Sequence, residues 1–326
     1  MPVHDYDRYD TVSAVRMRQP SFADPFVKQD KSQLPIGVFD SGVGGLTVLG
    51  AMLKLMPGED YLFLGDTARL PYGSKSRDTI VRYSLQTTAK LVSLGIKLLV
   101  IACNTATSAA LPALREAYPG MPIIGVVEPG AQAACHASPT GHIAVIATPS
   151  TTKSGAYRNA ILRHRPEANV RSLCCPLFVP LAEEGWFEGP IVESIATKYL
   201  APLFGCTEAT AGAETNTADD GAVTVPAIAP YTIPDCLVLG CTHYPMLAKA
   251  IRKVIGPGPV IIDSAATTAE TVQNRLNDSN MAHPLQQDRK GVIRFFTTDD
   301  PEKFARTGSR FLGMCIPESD VELVDL

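Results

Sequence analysis

Two stretches with the same pattern decide the fold: Leu-Val-Ile-Ala-Cys-Asn-Thr at residues 99–105 and Leu-Val-Leu-Gly-Cys-Thr-His at residues 237–243. Each is an apolar run that ends in a cysteine followed by two polar residues. Short apolar runs of this kind are typical of strands buried in a parallel sheet. The repeat therefore predicts two related halves, each of which carries one cysteine at the end of a strand.

The rest of the chain continues the same alternation. From residue 35 onward, short apolar runs alternate with longer amphipathic segments, which is typical of βα units around a parallel sheet. The predicted strands are 35–39, 60–64, 97–102, 122–127, 142–147, 235–240, 259–262 and 292–297. The predicted helices are 46–56, 77–94, 106–118, 152–164, 189–203, 245–255 and 266–277. We expect an α/β fold of two pseudo-symmetric lobes, each a mainly parallel sheet flanked by helices, with a ligand cleft between them.

The composition narrows the class of function. The chain has 326 residues, of which 45% are hydrophobic and 19% charged, and its net charge is -4. This composition is that of a globular enzyme, and no clustered basic surface for nucleic acid stands out. No segment approaches the roughly 20 consecutive apolar residues of a membrane-spanning helix. We expect a cytoplasmic protein that acts on a small molecule and binds neither nucleic acid nor membrane.

The cysteines indicate chemistry at two positions. Eight cysteines are spaced irregularly without a Cys-x-x-Cys pair, which fits neither a disulfide framework nor a zinc ribbon. Cys103 and Cys241 each end a predicted strand before a predicted helix, where backbone N–H groups and the helix dipole stabilise a thiolate. That position predicts thiol pKa values lowered from about 8.5 toward neutrality.

Two such thiols suit racemisation. This reaction needs a base on one face of a planar carbanion and an acid on the other, and the two roles reverse with the hand of the substrate. Two equivalent thiols on opposed lobes meet that requirement. A lone cysteine at a strand end is more often structural, so the hypothesis depends on the pair.

Two polar side chains stand where they can assist the thiols. Asp40 opens a Gly-rich turn whose spacing is that of neither a dinucleotide-binding motif nor a P-loop. The glycines of this turn let backbone N–H groups approach a small carboxylate. We interpret Asp40 as a residue that orients or assists Cys103; the alternative is a helix cap. His243 lies two residues beyond the second cysteine, where it can tune that thiol or hold a carboxylate such as Glu183. As a zinc pair, Cys-x-His lacks two further ligands, so we expect no metal.

The loop 66–76 is either a second loop for an anionic ligand or an ordinary surface turn.

Five stretches, in order, resemble the glutamate racemase family across residues 35–326. They are GVFDSGVGGLTVL (37–49), FLGDTARLPYGSKS (63–76), LVIACNTATSAAL (99–111), PLFVPLAEEG (176–185) and LVLGCTHYPML (237–247). The resemblance implies that Cys103 and Cys241 are the catalytic pair, the first deprotonating D-glutamate and the second L-glutamate. It also implies that Asp40 assists the first thiol and that His243 assists the second, beside an acid at Glu183. The adjacent Glu184 is the alternative to that acid.

The resemblance further implies the substrate contacts and the lobes. The residues that correspond to glutamate-binding positions are Asp40, Ser41, Tyr72, Gly73, Asn104, Thr105, Thr151, Thr242 and His243. The active site lies between the lobes in the family, and the first lobe is discontinuous. This predicts lobe A at 35–127 plus 263–326 and lobe B at 128–262. We read residues 1–34 as an N-terminal extension and residues 207–232 and 278–290 as loops.

The family also sets expectations for cofactors and partners. Its members need no cofactor, their product D-glutamate feeds peptidoglycan synthesis, and dimers are common. Leaders occur in members that are activated by a peptidoglycan precursor. We therefore expect glutamate as the substrate, a homodimer, and regulation by such a precursor.

Two other functions stay open on the sequence. Aspartate racemase shares the two-thiol chemistry and differs in pocket depth, which sequence physics alone does not separate. A binding or redox protein could instead use the paired cysteines as a disulfide or an oxidant sensor, although no resolving-cysteine spacing suggests exchange.

Overall fold

A computed structural model describes residues 31–205, 233–284 and 289–326, which contain ten β-strands and eleven α-helices. In chain order the strands are β1 (Ile36–Asp40), β2 (Tyr61–Gly65), β3 (Leu98–Ile101), β4 (Ile123–Gly125), β5 (His142–Ala147), β6 (Asn169–Cys174), β7 (Cys236–Gly240), β8 (Val260–Asp263), β9 (Ile293–Thr297) and β10 (Val321–Leu323). The helices are α1 (Leu46–Leu55), α2 (Arg77–Ser93), α3 (Asn104–Ala117), α4 (Val127–Ala137), α5 (Pro149–Ser154), α6 (Ala156–His164), α7 (Phe178–Glu183), α8 (Pro190–Phe204), α9 (Ala248–Ile255), α10 (Ser264–Asp278) and α11 (Pro301–Leu312). The alternation of strands and helices confirms the predicted α/β class.

All eight predicted strands are present, with bounds that shift by no more than a residue or two. The structure adds β6 and β10, which the pattern does not predict. Both are edge strands of their sheets, and most of their residues are half-buried or exposed. An apolar run marks a strand that is covered on both faces, so edge strands of this kind carry no such mark.

The helix predictions need three corrections. The predicted helix 152–164 is two helices, α5 and α6, because Gly155 adopts a left-handed φ of 66° between them. The predicted helix 245–255 starts as a 3-10 helix at Tyr244–Leu247 before α9. Helices α4, α7 and α11 were not predicted. The start of α11 is nevertheless legible in the sequence, since Asp300 caps it by accepting from the Lys303 N–H at 2.9 Å and proline follows the cap.

The strands form two parallel sheets. The order in the first is β10-β9-β2-β1-β3-β4, and in the second β6-β5-β7-β8, with every pair parallel. The first sheet draws its strands from 36–125 and 293–323, and the second from 142–263. The second sheet is thus inserted, in sequence, between two parts of the first. The predicted bounds of the two lobes stay a prediction.

Helices cover both faces of each sheet. Successive residues of a strand point to opposite faces, so along β7 Leu237 and Leu239 enter one core cluster while Cys236 and Val238 enter the other. The first sheet is divided in the same way, with Val38 of β1 on the face of α1 and α10 and Phe39 on the face of α2 and α3. Burial on both faces is why the central strands read as continuous apolar runs.

Part of the segments predicted to be peripheral lies outside the described residues. The residues outside the description are 1–30, 206–232 and 285–288. They include most of the N-terminal extension and the whole 207–232 loop. Next to the first gap, the carbonyl of Ser32 accepts from Lys97 Nζ at 2.9 Å. Among the helices within the described ranges, none has both the length and the apolar character needed to cross a membrane.

Candidate active site

The predicted functional side chains stand at the carboxyl ends of central strands. Asp40 is the last residue of β1, and Cys103 lies two residues beyond β3, which pairs with β1. Cys241 directly follows β7, the strand that pairs with β5. Parallel strands deliver such residues to one edge of their sheet, where ligands bind in α/β folds.

The two sheet edges meet at one cavity of about 160 Å³. Nine of the twelve predicted site residues line it: Ser41, Tyr72, Gly73, Cys103, Asn104, Thr105, Cys241, Thr242 and His243. The other three, Asp40, Thr151 and Glu183, lie outside the lining, the first two buried and the third half-buried. Apolar and proline side chains close much of the remaining wall: Leu70, Pro71, Pro149, Pro176, Val179 and Pro180.

Cys103 caps helix α3 and holds its proton tightly. Its Sγ accepts from the Ala106 N–H at 3.4 Å and donates to Ser41 Oγ at 3.5 Å. Burial, reinforced by the nearby Asp40 charge, raises the pKa of the Cys103 thiol to about 12, although hydrogen bonds that the Ser41 hydroxyl and the Ala106 N–H can donate to the thiolate act in the opposite direction. The prediction of a lowered pKa was therefore wrong for this thiol, because desolvation outweighs the helix N-terminus.

Asp40 is fully buried beside this thiol. Its Oδ2 accepts from the Gly42 N–H at 3.0 Å, while Oδ1 has no hydrogen-bond partner among the described residues. Burial raises the pKa of Asp40, and the charge of His243 and three backbone N–H groups partly offset that rise. A carboxyl group held in this way can exchange a proton nearer neutral pH than an exposed aspartate does.

Cys241 belongs to a chain of three groups from the second sheet. Its Sγ lies 3.8 Å from His243 Nδ1, and His243 Nε2 lies 3.0 Å from Glu183 Oε1. Of the two adjacent acids, the one at the end of α7 thus contacts the imidazole, whereas Glu184 is exposed. Cys241 does not stand at the start of an α-helix as predicted, because a turn and the 3-10 helix Tyr244–Leu247 follow it.

The imidazole of His243 is buried and favours its protonated form. Burial alone lowers the pKa of the ring, but the hydrogen bonds and charges of Cys241 and Glu183 outweigh it and raise the pKa to about 10. The ring edge also packs against Phe311, with centroids 5.2 Å apart. A cation is therefore fixed next to the Cys241 sulfur.

The Gly-rich turn after β1 brings the first sheet into contact with this chain. A Cβ at Gly44 would lie 2.5 Å from both His243 Nδ1 and Thr242 Oγ1, so only glycine fits there. Nearby, the Thr47 hydroxyl lies 3.3 Å from the Thr242 carbonyl oxygen and donates to it. The turn that sequence reasoning associated with a ligand also packs against the opposite half of the site.

The Tyr72-Gly73 loop is fixed by a residue that sequence reasoning did not select. Tyr72 donates its hydroxyl proton to buried Asp66, which also accepts from Arg69 Nε at 2.7 and 2.9 Å. Burial and the Asp66 charge raise the pKa of Tyr72, so its hydroxyl stays protonated. Thr298 Oγ1 donates to Asp66 at 3.0 Å and ties the loop to the end of β9. The 66–76 loop is thus held in place by these hydrogen bonds and forms part of the cavity wall.

Three buried threonine hydroxyls form a cluster at one wall of the cavity. Thr105 Oγ1 lies 3.0 Å from Thr148 Oγ1 and 3.3 Å from Thr151 Oγ1, and the last two lie 3.1 Å apart. Thr148 was missed by sequence reasoning. The available signal was its place directly after β5, a central strand whose carboxyl end faces the cleft.

Asn104 presents an unpaired donor at the same wall. Its Oδ1 accepts from the Tyr157 hydroxyl at 2.7 Å, while Nδ2 has no partner among the described residues and the side chain is buried. Buried donors are almost always paired in folded proteins. The free amide N–H groups are therefore available to a ligand in the cavity. Within the described ranges, no three His, Cys, Asp or Glu side chains are grouped so that they could bind a metal ion.

Comparison with known proteins assigns the family. A family model described as Asp/Glu/Hydantoin racemase matches residues 37–175. A glutamate racemase from Geobacter metallireducens is 44% identical over 278 residues, which are 85% of this chain and 92% of that protein. The chain belongs to the glutamate racemase family. It is therefore an isomerase of the amino-acid racemase class, as the resemblance predicted.

Solved structures of glutamate racemases share the fold. The enzyme from Francisella tularensis in complex with D-glutamate aligns with a TM-score of 0.76 and 32% identity, covering 90% of this chain and 98% of that one. The Escherichia coli glutamate racemase in complex with L-glutamate and the activator UDP-MurNAc-ala aligns with a TM-score of 0.63 and 27% identity, covering 85% of this chain and 95% of that one. The two-lobed architecture predicted from the sequence is thus that of the glutamate racemases.

Proposed function

We propose that this chain interconverts L-glutamate and D-glutamate without a cofactor, through a two-base mechanism in which Cys103 and Cys241 exchange protons with the α-carbon. One observation carries the proposal. The two thiols come from different sheets and line one cavity of about 160 Å³. An amino acid held between them would have one sulfur on each side of its α-carbon.

The proton transfers balance within the pair. From L-glutamate, the Cys241 thiolate removes the α-proton and becomes a thiol, and the resulting carbanion accepts a proton from the Cys103 thiol on the opposite face. The product is D-glutamate, with the Cys103 sulfur left as the thiolate. The reverse reaction starts from that state, so the two cysteines alternate as acid and base.

The surroundings of each sulfur support these roles. The raised pKa of Cys103 keeps its proton on the sulfur, as an acid in the L-to-D direction requires. The raised pKa of His243 places a cation 3.8 Å from the sulfur of Cys241, the group that acts as base toward L-glutamate. Glu183 orients this imidazole, and Asp40 assists Cys103 as a buried carboxyl group beside it.

The cavity supplies donors for the substrate carboxylates. The free amide N–H groups of Asn104 and the hydroxyls of Thr105 and Thr242 are of the type that binds carboxylate oxygens. Thr151 lies behind this lining, where its hydroxyl is 3.3 Å from that of Thr105. Ser41 and the Tyr72-Gly73 loop complete the proposed binding set. D-glutamate in the related Francisella structure supports glutamate as the substrate.

Aspartate racemisation is the competing function, since the same thiols would act on a shorter side chain. The discriminating experiment compares turnover of L-glutamate and L-aspartate by the full chain without added cofactor, with products resolved by chiral chromatography. We expect D-glutamate to form and D-aspartate to be near background. Preferred turnover of aspartate would refute the proposed substrate.

The variants for this experiment separate chemistry from folding. Cys103→Ser and Cys241→Ser should each abolish racemisation, because a hydroxyl with a far higher pKa cannot act as the base. The matched control is Cys236→Ser, which alters another buried cysteine, at the start of β7. We expect this control to keep activity, and circular dichroism checks that all three variants are folded.

We place the reaction in cytoplasmic supply of D-glutamate for peptidoglycan, by a homodimer that responds to a peptidoglycan precursor. The activator bound by the related Escherichia coli enzyme supports such regulation. The test deletes residues 1–34 and measures the basal rate with and without UDP-MurNAc-ala. Loss of the response with a retained basal rate is expected, and an unchanged response would refute a role for this segment. Sedimentation velocity tests the dimer.

A further inference from the structure

Tyr157 lies behind the active-site wall and is not among the residues assigned above to substrate or chemistry. It is on α6, beside the second sheet, and only 2% of its surface is exposed. Its hydroxyl contacts Asn104, the first residue of α3. This helix follows strand β3 of the first sheet. The bond thus joins the two halves of the structure at the substrate cavity.

The Tyr157 oxygen lies between Asn104 and Ser264, the buried first residue of α10. It donates to Asn104 Oδ1 at 2.7 Å. Asn104 Nδ2 is then left with free N–H groups in the cavity wall.

The position of Tyr157 is fixed by close packing. A Cβ at Gly130 would lie 3.2 Å from the Tyr157 oxygen, and a Cβ at Gly240 would lie 3.0 Å from its ring. Two glycines therefore let backbone approach the ring from α4 and from the end of β7. Burial raises the pKa of Tyr157, so the hydroxyl remains a donor.

The orientation of the Asn104 amide decides what the cavity wall offers. With Oδ1 bound by a donor, the amide presents N–H groups to the cavity; turned over, it would present oxygen lone pairs that repel a carboxylate. A hydroxyl can donate to Oδ1 only in the first orientation. We propose that Tyr157 is a positioning residue that fixes the Asn104 amide toward a carboxylate of the substrate, an inference that rests on the proposed glutamate racemase function.

The test is a double-mutant cycle in the full chain. Tyr157→Phe removes only the hydroxyl and keeps the ring against the two glycines, and Asn104→Ala removes the amide. For each single variant and for the double variant, kcat and KM are measured for both enantiomers, and D-glutamate binding is measured by titration calorimetry. The matched control is Tyr61→Phe, which loses a buried hydroxyl bonded to the Met56 carbonyl at 3.0 Å on the far side of the first sheet.

We expect Tyr157→Phe to raise KM and the D-glutamate dissociation constant about tenfold, the effect of leaving one buried polar group unsatisfied, while kcat changes less. In the Asn104→Ala background the same substitution should have no further effect, because Tyr157 acts through that amide. Tyr61→Phe should leave KM and the dissociation constant unchanged.

Two results would overturn the role of Tyr157 and leave the proposed function standing. One is a Tyr157→Phe variant with wild-type KM and wild-type affinity for D-glutamate. The other is an equal effect of Tyr157→Phe in the presence and in the absence of the Asn104 amide. A merely structural role for Tyr157 would give the second result. Wild-type protein that neither binds nor racemises glutamate would instead refute the proposed function, and the inference with it.

Discussion

Replacing Gly44 with alanine should damage the catalytic site without changing any polar group. The new methyl would lie 2.5 Å from His243 Nδ1 and 2.5 Å from Thr242 Oγ1, whereas ordinary contacts begin at 3.4 Å. The imidazole cannot rotate away freely, because Cys241 and Glu183 hold its two nitrogens. The two sheets must therefore separate locally, or the ring must move by about 1 Å, the scale of displacement at which catalytic geometry fails.

Two magnitudes follow for Gly44→Ala. A displacement of this size costs roughly 100-fold in rate. Overpacking a buried contact costs about 1–3 kcal/mol of unfolding free energy. Because L- and D-glutamate have equal free energies in solution, kcat/KM must fall by the same factor in both directions.

The assay measures racemisation from each enantiomer by chiral chromatography, and unfolding in urea. The control is Gly120→Ala, where a Cβ has no neighbour within 4 Å and both quantities should be unchanged. A displaced group is expected to cost about 100-fold in kcat/KM. The reasoning would be refuted if kcat/KM of Gly44→Ala stayed within about twofold of wild type.

Three further predictions concern the groups around the cavity. Glu183→Gln should lower kcat by about 10–100-fold, because it removes the negative charge of the group that accepts the hydrogen bond from His243, whereas Glu184→Gln should stay near wild type in the same assay. The pKa of His243 rises from an ordinary 6.5 to about 10, so the stability that its protonation contributes is fully present below pH 6.5 and is lost as the pH rises through 10. The stability advantage of wild type over His243→Gln in urea unfolding should shrink across that interval, and a constant or growing advantage would contradict it. Asp66→Asn should raise KM and lower the unfolding free energy by about 1–3 kcal/mol, because the buried Tyr72 hydroxyl and the half-buried Arg69 guanidinium lose their charged acceptor. An unchanged KM would show that the loop keeps its position without this charge.

Much of the fold could be predicted because it depends on local patterns. The central strands are covered on both faces and therefore appear as apolar runs, and the repeat around Cys103 and Cys241 marks the strand ends that face the cleft. The edge strands β6 and β10 lack full burial and so lack that pattern. Gly155 splits a continuous amphipathic segment because its backbone is left-handed, a conformation that sequence periodicity does not record.

The site was harder to predict wherever long-range packing decides it. The helix-start argument predicted a lowered pKa for Cys103, yet its depth in the fold, which no local motif reveals, raises the pKa to about 12. Asp66, Thr148 and Tyr157 each contact a residue distant in sequence, namely Thr298, Thr105 and Asn104. A buried aspartate or tyrosine also resembles many structural ones. The choice of Glu183 over its neighbour likewise depends on where α7 ends beside His243.

The most direct test of the two-base mechanism is α-proton exchange in deuterated water, for wild type, Cys103→Ser and Cys241→Ser, starting from each enantiomer without added cofactor. Early in the reaction, wild type should give deuterated product of inverted configuration while the remaining substrate keeps its protium, because one thiol removes the proton and the other supplies deuterium. Neither serine variant should form inverted, deuterated product. A single variant that still inverts glutamate at near the wild-type rate in both directions would contradict the two-thiol mechanism.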